Sequence, residues 1–256
     1  MSYFIVTGAT SGIGKELATI LASMGKNLLI VARNEASLAN LANDLMERFK
    51  IDAVPVPLDL SEKNSARTLY EKCRPYVVSG LVNNAGMGLF GDFPSIDWKA
   101  EERLLQLNMV SVHELCKYFL KDFSKQNQGM VLNVASTAAF QAGPFMASYY
   151  ASKAYVLSLT EAIAEEMSHL GKNITVSCLA PGPVRTGFHE RAGISAGDKR
   201  LPTAEEVAVY GINQWFKGQV LIVPGRNNRW LLCLNRLIPR RLGRLVVKRN
   251  QLKKKI

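Results

Sequence analysis

The segment SYYASK, Ser148 to Lys153, places two tyrosines three and four residues ahead of a lysine, and on a helix both spacings bring side chains together. A phenol ionises near pH 10, with an ordinary pKa of about 10, so it is a poor acid or base at neutral pH until a nearby cation stabilises its phenolate. Lys153 can supply that cation, and a tyrosine beside it can then move a proton. Helical spacing does not choose between Tyr149 and Tyr150. The stripe through Tyr150, Ala154 and Leu157 is apolar and suits packing, whereas the stripe through Tyr149, Lys153, Val156 and Thr160 is more polar. Tyr149 is therefore the expected acid, and Tyr150 a packing or pocket-wall residue.

A second stretch suits an anion. In TGATSGIG, the residues Gly8, Gly12 and Gly14 fall where an apolar strand gives way to a helix. Glycines allow a tight turn and a close backbone approach to a pyrophosphate, whose charge is favoured by the free amides and positive end of the following helix. In dinucleotide folds an acid about 20 residues further on holds the ribose hydroxyls, whereas an arginine there accommodates a ribose phosphate. The second strand ends VARNE, which puts Arg33 in that neighbourhood, with Glu35 read as an early-helix residue favoured by the helix dipole. NADP(H) is expected in preference to NAD.

These residues need elements to hold them. Short apolar runs alternate with longer amphipathic segments: YFIVTG, a helix over about Gly12 to Met24, NLLIVA, and a helix over about Ser37 to Phe49. AVPVPLDL is followed by helical Glu62 to Arg74, VVSGLVNNAG by Trp98 to Asp122, and MVLNVAS by Ser148 to Ser168, with NITVSCLAPG and VLIVPG completing seven strands. Continuously apolar strands joined by crossover helices predict a doubly wound α/β fold, a seven-stranded parallel sheet with helices on both faces. A chain of 256 residues, 48% apolar, suits one such domain, taken as residues 1–225, with a C-terminal extension over 226–256. Ligands in these sheets sit beyond the carboxyl ends of the strands, where TGATSGIG, NNAG and Ser136 fall.

Taken together, TGATSGIG, NNAG at Asn83 to Gly86, Ser136, YYASK, and PGPVRT at Pro181 to Thr186 resemble the short-chain dehydrogenase/reductase family, in order and over roughly residues 3 to 225. The resemblance implies a Rossmann-fold oxidoreductase that moves a hydride between a nicotinamide and a carbonyl or alcohol. It implies a catalytic set of Asn108, Ser136, Tyr149 and Lys153, because the family pattern has a tyrosine four positions before the lysine and a serine thirteen before the tyrosine. Tyr149 would act as general acid or base and Ser136 would stabilise the substrate oxygen. Lys153 would lower the Tyr149 pKa and bind ribose, and Asn108 would support a water relay. Cofactor contacts are implied for Gly8, Thr10, Ser11, Gly12, Ile13 and Gly14 of the glycine turn, for Arg33 and for Leu60, with Asp59 beside the adenine. They are implied further for Asn83, Ala85 and Gly86, for Tyr149 and Lys153, and for Pro181, Gly182, Val184 and Thr186, the last near the carboxamide. Subunit pairing into a homodimer or homotetramer through the helices around Asn108 and Tyr149 is also implied.

Met87, Leu89, Phe90, Phe140, Phe145, Met146 and Phe188 would meet near the pocket if the strand-end loops converge, which favours an apolar ketone or aldehyde over a small sugar. His113, His169 and His189 are too scattered for a metal site or a histidine-activated serine, and His189 alone falls in a loop suited to cover the site. Cys73, Cys116, Cys178 and Cys233 lack metal or disulfide spacing and read as reduced thiols. With a strand starting at once and no leader pattern, a cytoplasmic protein is expected.

The charge is uneven. Twelve of the 32 basic residues and none of the 21 acidic ones follow Glu206, so a near-neutral body ends in a basic tail. From Trp230, Leu231, Leu234, Leu237 and Ile238 share a helical face opposite Arg229, Arg236 and Arg240 until Pro239 interrupts. Such a segment can lie on an anionic membrane or pack on its own domain or a second subunit, whereas basic charge alone does not specify nucleic acid. The competing function is a non-catalytic NADP-binding sensor or scaffold acting through this tail.

Overall fold

The computed structural model describes residues 1–188, 192–193 and 201–252, with the side chains of residues 233, 235 and 236 left aside. His189 and the rest of the covering loop thus lie outside the described residues. Strands β1 (Tyr3–Thr7), β2 (Asn27–Ala32), β3 (Ala53–Pro57), β4 (Val78–Asn83), β5 (Gly129–Val134), β6 (Ile174–Leu179) and β7 (Leu221–Ile222) form one parallel sheet in the order β3-β2-β1-β4-β5-β6-β7. The order reverses between β1 and β4, so the crevice beyond their carboxyl ends opens at the glycine turn.

Alternate strand residues feed two apolar layers, as a sheet covered on both faces requires. On one face Phe4, Val6, Leu28 and Ile30 pack with α1 (Gly12–Ser23), α2 (Glu35–Phe49) and a helix over Ala204–Trp215, through Leu17, Leu38 and the fully buried Trp215. On the other, Ile5, Leu29 and Val31 pack with α3 (Ser65–Cys73), α5 (Ser111–Gln126) and α6 (Ala147–His169), through Leu69, Phe119 and Val156. Cys73, Cys116 and Cys178 are free and buried in that second layer.

Three elements differ from the periodicity. The long helix expected over Trp98 to Asp122 is α4 (Trp98–Leu105) joined to α5 by a wide π turn at Gln106–Val110, an insertion of the kind that marks functional sites. Helix α7 (Ala204–Trp215) is an addition, started by a capping box in which the Thr203 hydroxyl accepts from Glu206 N–H and the Glu206 carboxylate accepts from Thr203 N–H. The tail forms two helices, α8 (Arg226–Leu237) and α9 (Arg240–Leu252). Pro239 ends one and begins the other: Ile238 is extended, as residues before proline prefer, and the Pro239 carbonyl accepts from Leu242 and Gly243 N–H.

Candidate active site

The end of β1 is built around Thr7. Its hydroxyl accepts from the Asn84 and Ala85 N–H groups at 2.9 and 3.0 Å and donates to the Val82 carbonyl at 3.2 Å, pinning the end of β4 against the glycine turn. Gly8 and Gly12 hold φ of +66° and +54°, and a Cβ on Gly8 would lie 2.8 Å from Asn84 Nδ2. A Cβ on Gly14 would collide with Asn84 Nδ2 and the Gly8 carbonyl, so this glycine is where α1 meets the strand ends. Ser11 precedes α1 without a side-chain cap bond, and no acid occupies the first turn. Those free amides at a positive helix end fit a pyrophosphate.

Gly8, Thr10, Ser11, Gly12 and Ile13 line the resulting cleft, as do Leu60, Ala85, Gly86, Pro181, Gly182, Val184 and Thr186. Gly14 stands behind it. Asn83 does not line it: its amide points into the core and donates to Asn133 Oδ1 at 2.8 Å and to Cys116 Sγ. The neighbouring Asn84 takes the cleft position, donating to the Thr7 and Gly8 carbonyls at 2.9 and 3.3 Å. In NNAG the two asparagines face opposite sides of the sheet, and strand alternation was the signal that separates them.

Arg33 and Asp59 line the outer end of the cleft, with Arg33 Nη1 3.9 Å from Asp59 Oδ2. Asp59 accepts from the Ser61 N–H and hydroxyl at 2.9 and 2.7 Å and from Arg103 at 2.8 Å. Burial works against its charge, but the Ser61 bonds and the two guanidinium groups outweigh that and hold the carboxyl below its ordinary range. Arg103, absent from the sequence reading, leaves Arg33 less firmly committed to Asp59. Most of the Arg33 side chain stays open to solvent.

At the inner end, Ser136 follows β5 and caps a short turn at Thr137–Phe140, its hydroxyl accepting from Ala138 N–H at 3.1 Å. Tyr149 on α6 stands near enough to Ser136 for that hydroxyl to favour its phenolate, and both line the cleft, while the Ser136 hydroxyl itself donates to the Pro181 carbonyl at 3.4 Å. Burial pushes the Tyr149 phenol up to about 12, although hydrogen bonding with Ser136 pulls the other way. Lys153 stands one helical turn after Tyr149 on α6. Its Nζ donates to the Val134 carbonyl at 2.9 Å and lies 5.9 Å from the centre of the Tyr149 ring, and burial brings its own pKa down to about 8.

Asn108 lies in the π turn, wholly buried and off the cleft. It binds both main-chain groups of Met87 and donates to Ser152 Oγ at 3.0 Å. Gly86 fits between this amide and the lysine: a Cβ there would sit 3.3 Å from Asn108 Oδ1 and 3.4 Å from Lys153 Nζ. His113 pairs with Tyr155 at 2.6 Å, away from the cleft, and no group of three metal-ligating side chains occurs among the described residues.

Beyond Tyr149 the cleft, about 1000 Å³ in all, becomes an apolar lobe. Met87, Leu89, Met146 and Phe188 line it as expected, whereas Phe90, Phe140 and Phe145 do not. Phe90 and Phe145 pack on one another at 6.0 Å, and Phe140 joins the core. The remaining wall comes from the tail: Leu231, Leu234, Ile238, Val246, Val247 and Gln251 all line the lobe. Gln251 Nε2 donates to Tyr150 Oη at 2.7 Å, which makes Tyr150 a wall residue. The amphipathic period of the tail was legible, but not the surface it would cover.

Residues 2–195 match the family model of the short chain dehydrogenases. Among curated relatives, a 7beta-hydroxysteroid dehydrogenase of Collinsella aerofaciens is 28% identical over 175 residues, 68% of this chain and 66% of that protein. Among solved structures, a short-chain dehydrogenase from Sphingobium yanoikuyae in complex with NADPH superposes with a TM-score of 0.84 at 27% identity, covering 90% of this chain and 91% of that one. The bulky-bulky ketone specific alcohol dehydrogenase from Comamonas testosteroni does so with a TM-score of 0.79 at 26% identity, covering 90% and 89%. A glycine cradle at the sheet crossover, a tyrosine and serine facing one cleft, and a family match over three quarters of the chain lead to one assignment: this protein belongs to the short-chain dehydrogenase family of nicotinamide-dependent oxidoreductases.

Proposed function

We propose that this protein interconverts an apolar ketone or aldehyde and its alcohol with NADP(H). The observation that carries the reading is the meeting of Ser136 and Tyr149 in one cleft, between the glycine cradle and the apolar lobe. A carbonyl oxygen placed there accepts from both hydroxyls. NADPH, when bound, supplies the hydride. As negative charge grows on the oxygen, Tyr149 Oη releases its proton to it and Ser136 Oγ stabilises it, with general acid catalysis worth about 10² to 10⁴ in rate. Lys153 holds a positive charge behind the phenol, and Asn108 positions the Gly86–Met87 segment in front of it. Asn108, held by Met87 and Ser152, would also support a water relay behind Lys153.

The free amides of α1 would hold the pyrophosphate, Asp59 and Leu60 the adenine, and Thr186 the carboxamide. Arg33, exposed at the outer end of the cleft, favours a ribose phosphate and so NADP over NAD. The apolar lobe supports a bulky hydrophobic substrate, in line with relatives named for a hydroxysteroid and for bulky ketones. NADPH oxidation with a graded series of ketones and aldehydes tests the reading. Turnover that vanishes in Tyr149→Phe supports it, and cofactor binding without turnover across the series would favour a sensor instead.

Two associations accompany this function. Pairing through the helices near Asn108 and Tyr149 would give a homodimer or homotetramer, which sedimentation equilibrium measures. Contact with an anionic membrane surface is supported by α8 and α9, where Trp230, Leu237, Leu242, Leu245 and Leu252 are exposed and off the lobe among Arg226, Arg229, Arg240, Arg241, Arg244, Lys248 and Arg249. Each basic residue near such a surface contributes about 1 kcal/mol. No described helix is long and apolar enough to cross a membrane. Replacing Leu237, Leu242 and Leu245 by glutamate should release the protein from phosphatidylserine vesicles in co-sedimentation.

A further inference from the structure

The apolar lobe contains one polar feature that hydride transfer does not use. Gln251, on the last described turn of α9, is 3% exposed and lines the cleft, and its Oε1 is buried without a hydrogen-bond partner. Its Nε2 is committed to Tyr150 Oη at 2.7 Å and leans on Met146 Sδ at 3.7 Å. A buried carboxamide oxygen left unpaired is costly, and an apolar side chain of similar size would fill the same wall without that cost. The partner oxygen is half-used in the same way. Tyr150 Oη accepts from Gln251, and its own O–H has no acceptor among the described residues. The pair thus leaves one acceptor and one donor unused, side by side within the apolar wall of the lobe. Turning the carboxamide over leaves the same count, because Tyr150 would then donate to the amide oxygen and keep a free lone pair, while the amide N–H groups would face outward.

One donor and one acceptor at a single point complement a hydroxyl group, which is both. We propose that Gln251 and Tyr150 form a hydrogen-bonding subsite for a hydroxyl on the substrate, remote from the reacting carbonyl, so that the substrate class is a bulky apolar ketone carrying a second, distal alcohol. This rests on the carbonyl-reductase reading above. The subsite lies on the lobe side of Tyr149, whose ring is 6.0 Å from that of Tyr150, so a hydroxyl held there orients an otherwise featureless hydrophobic body relative to the catalytic phenol. The C-terminal helix acquires a specificity role from it: α9 brings to the site a residue 101 positions away from Tyr150.

The test compares matched pairs of polycyclic ketones, with and without one distal hydroxyl placed at successive ring positions, in the full-length protein and in Gln251→Met and Tyr150→Phe. For at least one position the wild-type kcat/KM should favour the hydroxylated ketone by about tenfold, the effect of one well-made hydrogen bond. Gln251→Met should bring that ratio close to one, chiefly through a higher KM for the hydroxylated member, and Tyr150→Phe should lower it part of the way. The ratio is internal to each variant, so a loss of stability that affects both ketones alike leaves it unchanged. A wild-type ratio near one at every position, or a preference that survives Gln251→Met, overturns the proposal. If no ketone in the series is reduced, the carbonyl reading fails separately, and calorimetric titration of the same compounds still measures whether the hydroxyl improves binding in a Gln251-dependent way.

Discussion

The carboxamide of Asn108 closes a two-way hydrogen bond with the main chain of Met87, accepting from its N–H at 3.0 Å and donating to its carbonyl at 2.9 Å. The π turn makes this possible by rotating Asn108 out of the regular α4–α5 ladder toward the loop after β4. Removing the amide leaves both Met87 groups short of a partner and opens a buried polar gap. Asn108→Ala should therefore cost about 2 to 3 kcal/mol, lowering the thermal midpoint by roughly 5 °C or more in a domain of this size. It should also lower kcat, because the Gly86–Met87 segment loses its anchor. Thermal unfolding followed by circular dichroism, with an unchanged midpoint as the contrary result, decides the structural part.

The two tyrosines of SYYASK should separate by kinetic parameter. Tyr149→Phe removes the hydroxyl that meets Ser136, and kcat should fall at least about 100-fold with NADPH binding retained. Tyr150→Phe removes a wall hydroxyl bonded to Gln251, so its effect should appear in KM for large substrates. Steady-state kinetics on both variants would reverse the assignment if the kcat loss followed Tyr150.

Much of this was readable in advance because it is local. The seven strands announce themselves as apolar runs, since both faces of the sheet are covered, and the glycine turn and SYYASK carry their chemistry within a few residues. What escaped depends on distance. Asn83 and Asn84 are adjacent in sequence, and only their opposite directions at the end of β4 send one to Cys116 and Asn133 in the core and the other to Thr7. Lys153 has a second suitor, the Val134 carbonyl, that helical spacing cannot show. Helix α7 was missed despite its Thr203–Glu206 capping box, a local signal that was available. The stripe of the tail was visible, but the lobe it walls is formed by residues about a hundred positions earlier, such as Met146.

Arg33 is the test of the ribose phosphate. Its charge is shared with Asp59 at 3.9 Å, but Asp59 is already satisfied by Ser61 and Arg103, so Arg33 is free to turn to a phosphate. Arg33→Ala should weaken NADPH by about tenfold or more and NADH by much less, the difference expected of one lost charge-assisted bond. Fluorescence titration of both cofactors measures it, and equal losses would remove the NADP preference.

Gly14 tests the junction between cradle and sheet. A methyl there runs into Asn84 Nδ2 and the Gly8 carbonyl, neither of which can yield without moving the turn. Gly14→Ala should cost about 1 to 3 kcal/mol through overpacking and weaken both cofactors together, unlike Arg33→Ala. A stable variant with ordinary affinity for NADPH and NADH would show that α1 can shift away from the strand ends.

Lys153 offers a prediction whose sign runs against intuition for a catalytic residue. Burial lowers its pKa from 10.5 to about 8, so the charged form is disfavoured on folding. Between about pH 8 and 10.5 the unfolded chain keeps this proton while the folded one releases it. The unfolded state then binds more protons, and the contribution of this group to stability rises with pH across that window. Below pH 8 the full penalty applies, on the order of 3 kcal/mol, offset by about 1 kcal/mol for the bond to the Val134 carbonyl. In the cofactor-free protein at pH 7, Lys153→Met should therefore raise the thermal midpoint by a few degrees while abolishing turnover, and the gap between the two proteins should narrow above pH 8. Melting curves from pH 6 to 10 follow both trends. A midpoint that drops in the methionine variant at pH 7 would mean that the ammonium finds more compensation in the cleft than the Val134 carbonyl alone provides.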